Sequence, residues 1–463
     1  MKLALVNPPA KHHITRRWRC AVEQGHYLFP PIELCYIGGA LKKKNREIIL
    51  IDCIAEKLSL KALTEKIKDF RPDVIVFMTG FENIEDDISN MVDVKKTVGA
   101  RLACFGFYPT IFSGEIIKKF DIDFIIRGEP EITLSELCET LERGKKPSHI
   151  RGLTYIDKGH AKGNGDRGYI ENLDNLPFPD RSLVKNNLYY SPFPDKKPFT
   201  TMLTARGCPY RCTYCIRTYG DALRRRSVKN AIAEIDEMAE KHGIRSMYIN
   251  DDTFTYNKSW VLDFCSKLKE KKYKIKWTCL SRPETLDKEM MKAMKEAGCL
   301  RVLVGIESGS KKILEYYGRN YDLANIRKLF SEMRETGIQS FGFFMLGAPI
   351  ETEEDIEKSF EIAKIANPDF LTLNIVRLYP GTEIFRNMHK TGSVKFNLFP
   401  YDVSFEANIP EEEVSRLMFK FYKSYYFRPK YVFSHIPLFL KNPVHILRLF
   451  FEYMKWEKRG KNF

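Results

Sequence analysis

The chain has 463 residues, 44% of them hydrophobic and 29% charged, with a formal net charge of +15. That length suits two or three globular domains, and no run reaches the roughly 18 consecutive apolar residues of a bilayer span. Eleven cysteines, an odd number, behind an opening Met1-Lys-Leu-Ala-Leu-Val-Asn without a leader, point to a reducing cytoplasm and against a disulfide framework. The basic excess is compatible with nucleic acid, an anionic membrane surface, or anionic substrates and cofactors, and does not choose among them.

In chain order, apolar runs at 2–6, 47–51, 74–77, 101–105 and 123–126 alternate with helix-period segments at 32–44, 60–70, 82–98, 112–120 and 133–142. This rhythm predicts an α/β domain over residues 1–145, a doubly wound, Rossmann-like parallel sheet with helices on both faces. Ligands of such sheets bind beyond the carboxyl ends of the strands. Unusual residues collect there: Asn7-Pro8-Pro9, Thr79-Gly80, Gly106-Phe107-Tyr108-Pro109-Thr110 and Arg127-Gly128-Glu129-Pro130-Glu131. Glycine permits close backbone approach and proline fixes loop shape. Ordinary loop punctuation accounts for any one of these and strains to cover all four.

Residues 146–198, with Gly-rich and Pro-rich turns, read as a connector. A strand at 199–203 then leads into Thr204-Ala-Arg-Gly-Cys-Pro-Tyr-Arg-Cys-Thr-Tyr-Cys-Ile, which holds Cys208, Cys212 and Cys215 as Cys-x3-Cys-x2-Cys. Three thiolates on one tight loop can hold three irons of a four-iron, four-sulfur cluster and leave the fourth open, because soft sulfur donors favour iron-sulfur centres. The alternative is zinc on these three with a distant fourth ligand such as Cys279 or Cys299. Further strands are predicted at 246–250, 275–280, 301–306, 340–346 and 370–378, making six strand-helix units over residues 199–394.

The cysteine spacing and Tyr214 resemble the signature of the radical S-adenosylmethionine superfamily, and the six units resemble its partial (β/α)6 barrel, an open relative of the TIM barrel. The resemblance implies a [4Fe–4S] cluster on Cys208, Cys212 and Cys215. S-adenosylmethionine would chelate the open iron and be cleaved to methionine and a 5′-deoxyadenosyl radical. It implies that Tyr214 and Asn250-Asp251-Asp252 hold the methionine, whose ammonium needs acceptors. Glu307 and Ser308 would bond the ribose, Leu346 in Phe343-Phe-Met-Leu-Gly-Ala-Pro would pack near adenine, and Arg377 would hold the nucleoside.

The loops of the first domain resemble the cobalamin-binding domain of one branch of this superfamily. Asn7, Pro8, Pro9, Thr79, Gly106, Tyr108, Pro109, Thr110, Arg127, Gly128 and Glu129 are therefore expected at the corrin. Two departures stand out. Tyr108 replaces the histidine of Gly-Gly-x-His-Pro-Thr, and no Asp-x-His-x-x-Gly is present. Cobalamin is expected with its tail displaced and no histidine below the metal; His12, His13 and His26 read as surface or substrate-loop residues. Tyr108 either faces the lower side of the corrin or packs. Trp277-Thr-Cys-Leu-Ser-Arg also matches the branch, with Arg282 neutralising an acidic group of cofactor or substrate or forming a structural ion pair. Cys265, Cys279 and Cys299 read as packing residues.

Residues 395–463 read as a helical extension in which Phe419, Tyr422, Tyr426, Leu447, Phe450, Phe451 and Met454 recur at helical spacing. It either covers the open side of the barrel or rests on a membrane surface as a peripheral contact. The resemblance, which includes the anaerobic magnesium-protoporphyrin monomethyl ester cyclase and radical methylases, implies C-methylation of an unactivated carbon. The expected substrate is a hydrophobic or anionic small molecule or lipid, the electron donor a ferredoxin or flavodoxin, and no nucleic acid is expected. Other readings are cyclisation or oxidation without methyl transfer, a zinc or cobalamin sensor, and a methylthiotransferase. The last needs three first-domain cysteines on a second cluster, whereas Cys20, Cys35 and Cys53 fall on unrelated elements.

Overall fold

Strands buried on both faces need apolar side chains at every position, and the first strand, Leu3-Ala-Leu-Val, has them. In the computed structural model, which describes residues 1–10, 27–42, 45–81, 83–191, 193, 195–429, 431–433 and 436, this run is β1 (Lys2–Asn7). It pairs in parallel with β2 (Glu47–Asp52) and β3 (Val74–Met78). β4 (Arg101–Phe105) and β5 (Phe124–Ile126) continue in parallel beyond β3. Leu3 and Leu5 face one side with α1 (Ile32–Leu41) and α6 (Pro130–Glu142). Ala4 and Val6 face the other, with α2 (Leu60–Phe70), α3 (Ile84–Val98) and α5 (Ser113–Lys119). The expected doubly wound sheet is present, and its order reverses between β1 and β3, which opens a crevice at the carboxyl edge.

Three details differ from the sequence expectation. The helix expected at 112–120 is two short helices, α4 (Phe107–Ile111) and α5, so the Gly106-Phe-Tyr-Pro-Thr motif opens a helix rather than a loop. α6 starts earlier than 133, at Pro130, whose missing N–H costs nothing in a first turn. The stretch 146–198 also does more than connect. Its β6 (Leu153–Asp157) and β7 (His160–Gly163) extend the first sheet in antiparallel fashion to seven strands. β7 is an edge strand with no buried residue, so it carries no apolar signal.

The second sheet has six parallel strands in the order β8 (Phe199–Met202), β11 (Ser246–Ile249), β12 (Lys276–Ser281), β13 (Cys299–Glu307), β14 (Gln339–Leu346) and β15 (Phe370–Ile375). Between β8 and β11 lie a two-stranded ribbon of β9 (Ala205–Arg206) and β10 (Arg224–Arg225), and α7 (Val228–Lys241). α8 (Lys258–Lys269), α9 (Lys288–Glu296), α10 (Lys311–Tyr316), α11 (Ile326–Thr336) and α12 (Glu353–Ala366) complete the units. β8 and β15 do not pair with each other, so the barrel is open. α13 (Glu383–Lys390) and a hairpin of β16 (Val394–Asn397) and β17 (Asp402–Phe405) follow, so the extension expected to be helical from 395 opens with paired strands and is helical only from Glu411.

An open barrel leaves an edge of unpaired backbone groups. α14 (Glu411–Tyr426) lies against that edge and serves it with tyrosine hydroxyls. Leu371 N donates to Tyr426 Oη (3.0 Å), which donates to Leu371 O (3.0 Å), and Leu373 N donates to Tyr422 Oη (2.7 Å). Of the two readings of the tail, the described part is the barrel cover. Leu447, Phe450, Phe451 and Met454 lie outside the described residues, among which no helix is long and apolar enough to cross a membrane.

Candidate active site

The cysteine loop hangs from the β9–β10 ribbon. Gly207 (φ 83°) lets the chain turn into it, since a Cβ there would sit 2.2 Å from Ala222 O. Cys208 N donates to Gly220 O (3.2 Å) and Cys215 N to Cys212 O (3.2 Å). The loop docks on the end of α10, where Thr213 N donates to Tyr317 O (3.0 Å) and Thr213 Oγ1 to Tyr316 O (2.8 Å). Cys212 is buried, Cys208 and Cys215 partly exposed. Among the described residues no three His, Cys, Asp or Glu side chains converge as ligands of a single ion. Cys279 and Cys299, the distant zinc candidates, are buried in the barrel wall with Trp277 and Val302, and Cys265 is buried with them. Burial pushes the Cys265 and Cys279 thiols up, as packing residues. Three sulfur donors spread along one loop suit the separate irons of a cubane.

The other strand ends surround this loop. Asn250, after β11, is 3% exposed, and its Oδ1 has no partner, a buried acceptor of the kind an ammonium needs. Asp252 is half-buried beside it. Glu307 ends β13 at φ 67° and is buried. Burial pushes its carboxyl up, against the pull of Arg319 and a hydrogen bond from Tyr214. Arg319 Nη1 lies 3.5 Å from Glu307 Oε1, and the Tyr214 ring packs edge-on against Tyr317 at 5.1 Å. Arg282, after β12, donates from Nη1 to Cys212 Sγ (3.1 Å).

Four of the residues expected here are engaged elsewhere. Asp251 accepts from Thr204 N (2.7 Å), Ala205 N (3.0 Å) and the Thr204 hydroxyl, so its carboxylate fastens the approach to the cysteine loop. Ser308 Oγ accepts from Ser310 N (3.1 Å) and meets Ser359 Oγ of α12 (3.1 Å). Leu346 is fully buried in the barrel core. Arg377 forms a two-pronged pair with Glu411 at the start of α14 (2.6 and 2.8 Å) on the surface. Arg319, which no sequence motif marked, enters the site instead, behind Gly318 (φ 65°).

At the carboxyl edge of the first sheet, Asn7 Nδ2 donates to Asp52 Oδ1 (2.8 Å) and Tyr189 Oη to Asp52 Oδ2 (3.0 Å). Thr79 Oγ1 donates to Asp87 Oδ2 (2.8 Å). A Cβ on Gly106 would sit 2.2 Å from Thr79 O, so β3 and β4 approach closely only with glycine there. Thr110 Oγ1 donates to Gly106 O (2.7 Å) and accepts from Gly128 N (3.0 Å), tying two loops together, and Pro109 is buried beside it. Tyr108 is fully buried among Phe81 (4.9 Å), Phe112 (4.9 Å) and Tyr401 (5.2 Å), and its hydroxyl has no partner.

Arg127 pairs with Asp166 (2.7 Å), and Glu129 accepts from Arg206 (3.1 Å), Arg224 (3.0 Å) and Ile170 N (2.6 Å). Both side chains are thus held by ion-pair partners from the segment after β7 and from the β9–β10 ribbon, while Arg127 Nε keeps no partner. Pro9, Phe107 and Gly128 remain half-buried on the rim, with Pro8 buried behind them. This apolar, glycine-bearing rim suits a corrin face. The described histidines, His149, His160, His242 and His389, belong to other elements, while His12, His13 and His26 lie outside the described residues.

Residues 202–363 match the model of the Radical SAM superfamily. The chain is 30% identical over 467 residues to an uncharacterised methyltransferase of Pyrococcus horikoshii, spanning 98% of this chain and 99% of that protein. It is 24% identical over 374 residues to the anaerobic magnesium-protoporphyrin IX monomethyl ester cyclase of Cereibacter sphaeroides, covering 78% of this chain and 60% of the cyclase. Among solved structures, the cobalamin-dependent S-adenosylmethionine radical enzyme OxsB, with aqua-cobalamin and S-adenosylmethionine bound, superposes with a TM-score of 0.74 at 17% identity, over 99% of this chain and 71% of that one. A matching family model across the barrel and a near full-length relative at this identity carry one conclusion: the chain is an enzyme of the radical S-adenosylmethionine superfamily, which works with a [4Fe–4S] cluster and S-adenosylmethionine.

Proposed function

We propose that the chain is a cobalamin-dependent radical methyltransferase that methylates an unactivated carbon of an apolar small molecule or lipid. Cys208, Cys212 and Cys215 hold three irons of the cluster. Asn250 Oδ1, with Asp252 beside it, accepts from the methionine ammonium, Tyr214 packs on the methionine, and Glu307 accepts from the ribose hydroxyls. Asp251 and Ser308 act one step back, fixing the loops that carry these groups. The rim of Pro9, Phe107 and Gly128 faces the corrin, in a first domain that keeps β6 and β7. When bound, the cluster supplies the electron that splits S-adenosylmethionine and cobalamin carries the methyl group. The protein orients these groups and excludes water, and a ferredoxin or flavodoxin supplies the electron.

The observation that carries this reading is the cysteine loop at the carboxyl end of an open barrel, joined through Arg206 and Glu129 to the carboxyl edge of a doubly wound sheet. The barrel's inner wall supports this substrate class. Phe341, Phe343 and Leu280 are half-buried there beside buried Tyr248 and Leu303, and Phe29 stacks on Tyr248 at 5.3 Å. A wall of aromatic and aliphatic side chains favours an apolar ligand. Likeness to the cyclase supports a second reading, ring closure without methyl transfer.

The test is anaerobic reconstitution with iron, sulfide and cobalamin, followed by turnover with S-adenosylmethionine labelled in its methyl group. The expected result is about four irons per chain, bound cobalt, and the label in the product. Turnover to an unlabelled product rejects methylation in favour of ring closure, and Cys208→Ser that retains turnover rejects the cluster assignment.

A further inference from the structure

Arg282 stands just past β12 and is 6% exposed. Its guanidinium is held from three sides: Nη1 lies 3.1 Å from Cys212 Sγ, Nε 2.5 Å from Glu284 Oε1, and the guanidinium carbon 3.7 Å from the centre of the Tyr210 ring. Near the other two sulfurs lie the Thr253 hydroxyl, 4.0 Å from Cys208, and the Ile216 carbonyl, 3.7 Å from Cys215, and the Asp252 carboxylate acts on Cys208 with the opposite sign to a cation. A cationic donor is thus aimed at one thiol of the trio.

We propose that Arg282 tunes the cluster, its guanidinium donating to the Cys212 thiolate and raising the reduction potential of the bound [4Fe–4S] centre. The proposal rests on the cysteines being cluster ligands. Reduction adds one electron, lost by a ferredoxin- or flavodoxin-class donor in the cell or by dithionite in vitro, and no bond forms or breaks. A [4Fe–4S]2+ core with three thiolates carries a net charge of −1, and its reduced form −2. A fixed cation and hydrogen bond at a ligand sulfur stabilise the more negative state more, which raises the potential. In a buried site this field is weakly screened by salt. Arginine suits the position because it stays protonated and its planar fork can meet sulfur and carboxylate while lying flat on a ring. Arg319 lies in the same field, and each arginine has a carboxylate partner, Glu307 at 3.5 Å for Arg319 and Glu284 at 2.5 Å for Arg282, so the hydrogen bond to Cys212 Sγ is what sets Arg282 apart.

The experiment is a potentiometric titration followed by electron paramagnetic resonance. It uses the reconstituted full-length protein without S-adenosylmethionine, with iron and sulfide counted, for wild type, Arg282→Gln and Arg282→Lys. In Arg282→Gln the ratio of reduced to oxidised cluster at a fixed potential should fall about tenfold, a downward shift of about 59 mV for one electron. Arg282→Lys should shift less in the same direction. An Arg282→Gln protein with a full cluster and the wild-type potential overturns the proposal. If that variant also loses S-adenosylmethionine affinity, Arg282 is a cofactor-carboxylate ligand instead. Should Arg282→Gln fail to assemble a cluster, a wild-type potential in Arg282→Lys overturns the proposal equally. Wild-type protein that takes up no iron would instead refute the cysteine assignment, and the tuning role with it.

Discussion

Glu351 is a buried acid outside the cysteine loop whose protonation couples to stability. Its Oε2 accepts from Gly347 N and Ala348 N (2.5 and 3.1 Å), and its Oε1 has no partner. Burial pushes its carboxyl from 4.5 up to about 7, with the two backbone donors opposing. The native state therefore holds this proton more tightly than the unfolded chain. The resulting stabilisation is complete below pH 4.5 and is lost as pH rises through about 7. At about 1.4 kcal/mol per pH unit, the loss reaches roughly 3 kcal/mol. Glu351→Gln, which keeps an acceptor for both N–H groups, should flatten the pH dependence of the urea midpoint across that window. A variant with the wild-type slope would assign the dependence to another group.

At the scale of elements, the open barrel depends on α14. Tyr426→Phe removes the hydroxyl that both accepts from and donates to Leu371 and leaves a buried N–H and C=O unpaired, at about 1–3 kcal/mol. Amide exchange at Leu371 and Leu373 should quicken while that of β8 stays unchanged; equal protection in the variant would mean that water already serves the edge. The aromatic spacing of this helix was legible in the sequence, but its target was not. Tyrosines at helical intervals serve a strand edge or a membrane equally well until the strand that lacks a neighbour is known. The interior strands were legible because full burial demands unbroken apolar runs. β7 was not, because a solvent-facing edge makes no such demand.

For the molecule as a whole, the decisive joint is Arg206, just ahead of the cysteine loop. It is 2% exposed, paired with Glu129 (3.1 Å) and Glu131 (2.5 Å) of the first domain, and packed against Tyr36 and Tyr219. Arg206→Met should cost about 3–5 kcal/mol, because it leaves buried carboxylates short of their cation. Urea unfolding measures this, and a loss under 1 kcal/mol would show that Arg224 alone holds the two sheets together.

The three-cysteine loop and the succession of strands along the chain were determined by the sequence alone, because both depend on neighbours along the chain: three thiols within one loop, and apolar runs at regular intervals. Which strand-end residues stay turned toward a ligand was decided only by the tertiary structure. Glu129 meets Arg206 across 77 positions, Arg282 meets Cys212 across 70, and Asp251 meets Thr204 across 47. A charged or polar group is committed to whichever partner lies within hydrogen-bonding distance in space, and that distance exists only once the two sheets have packed.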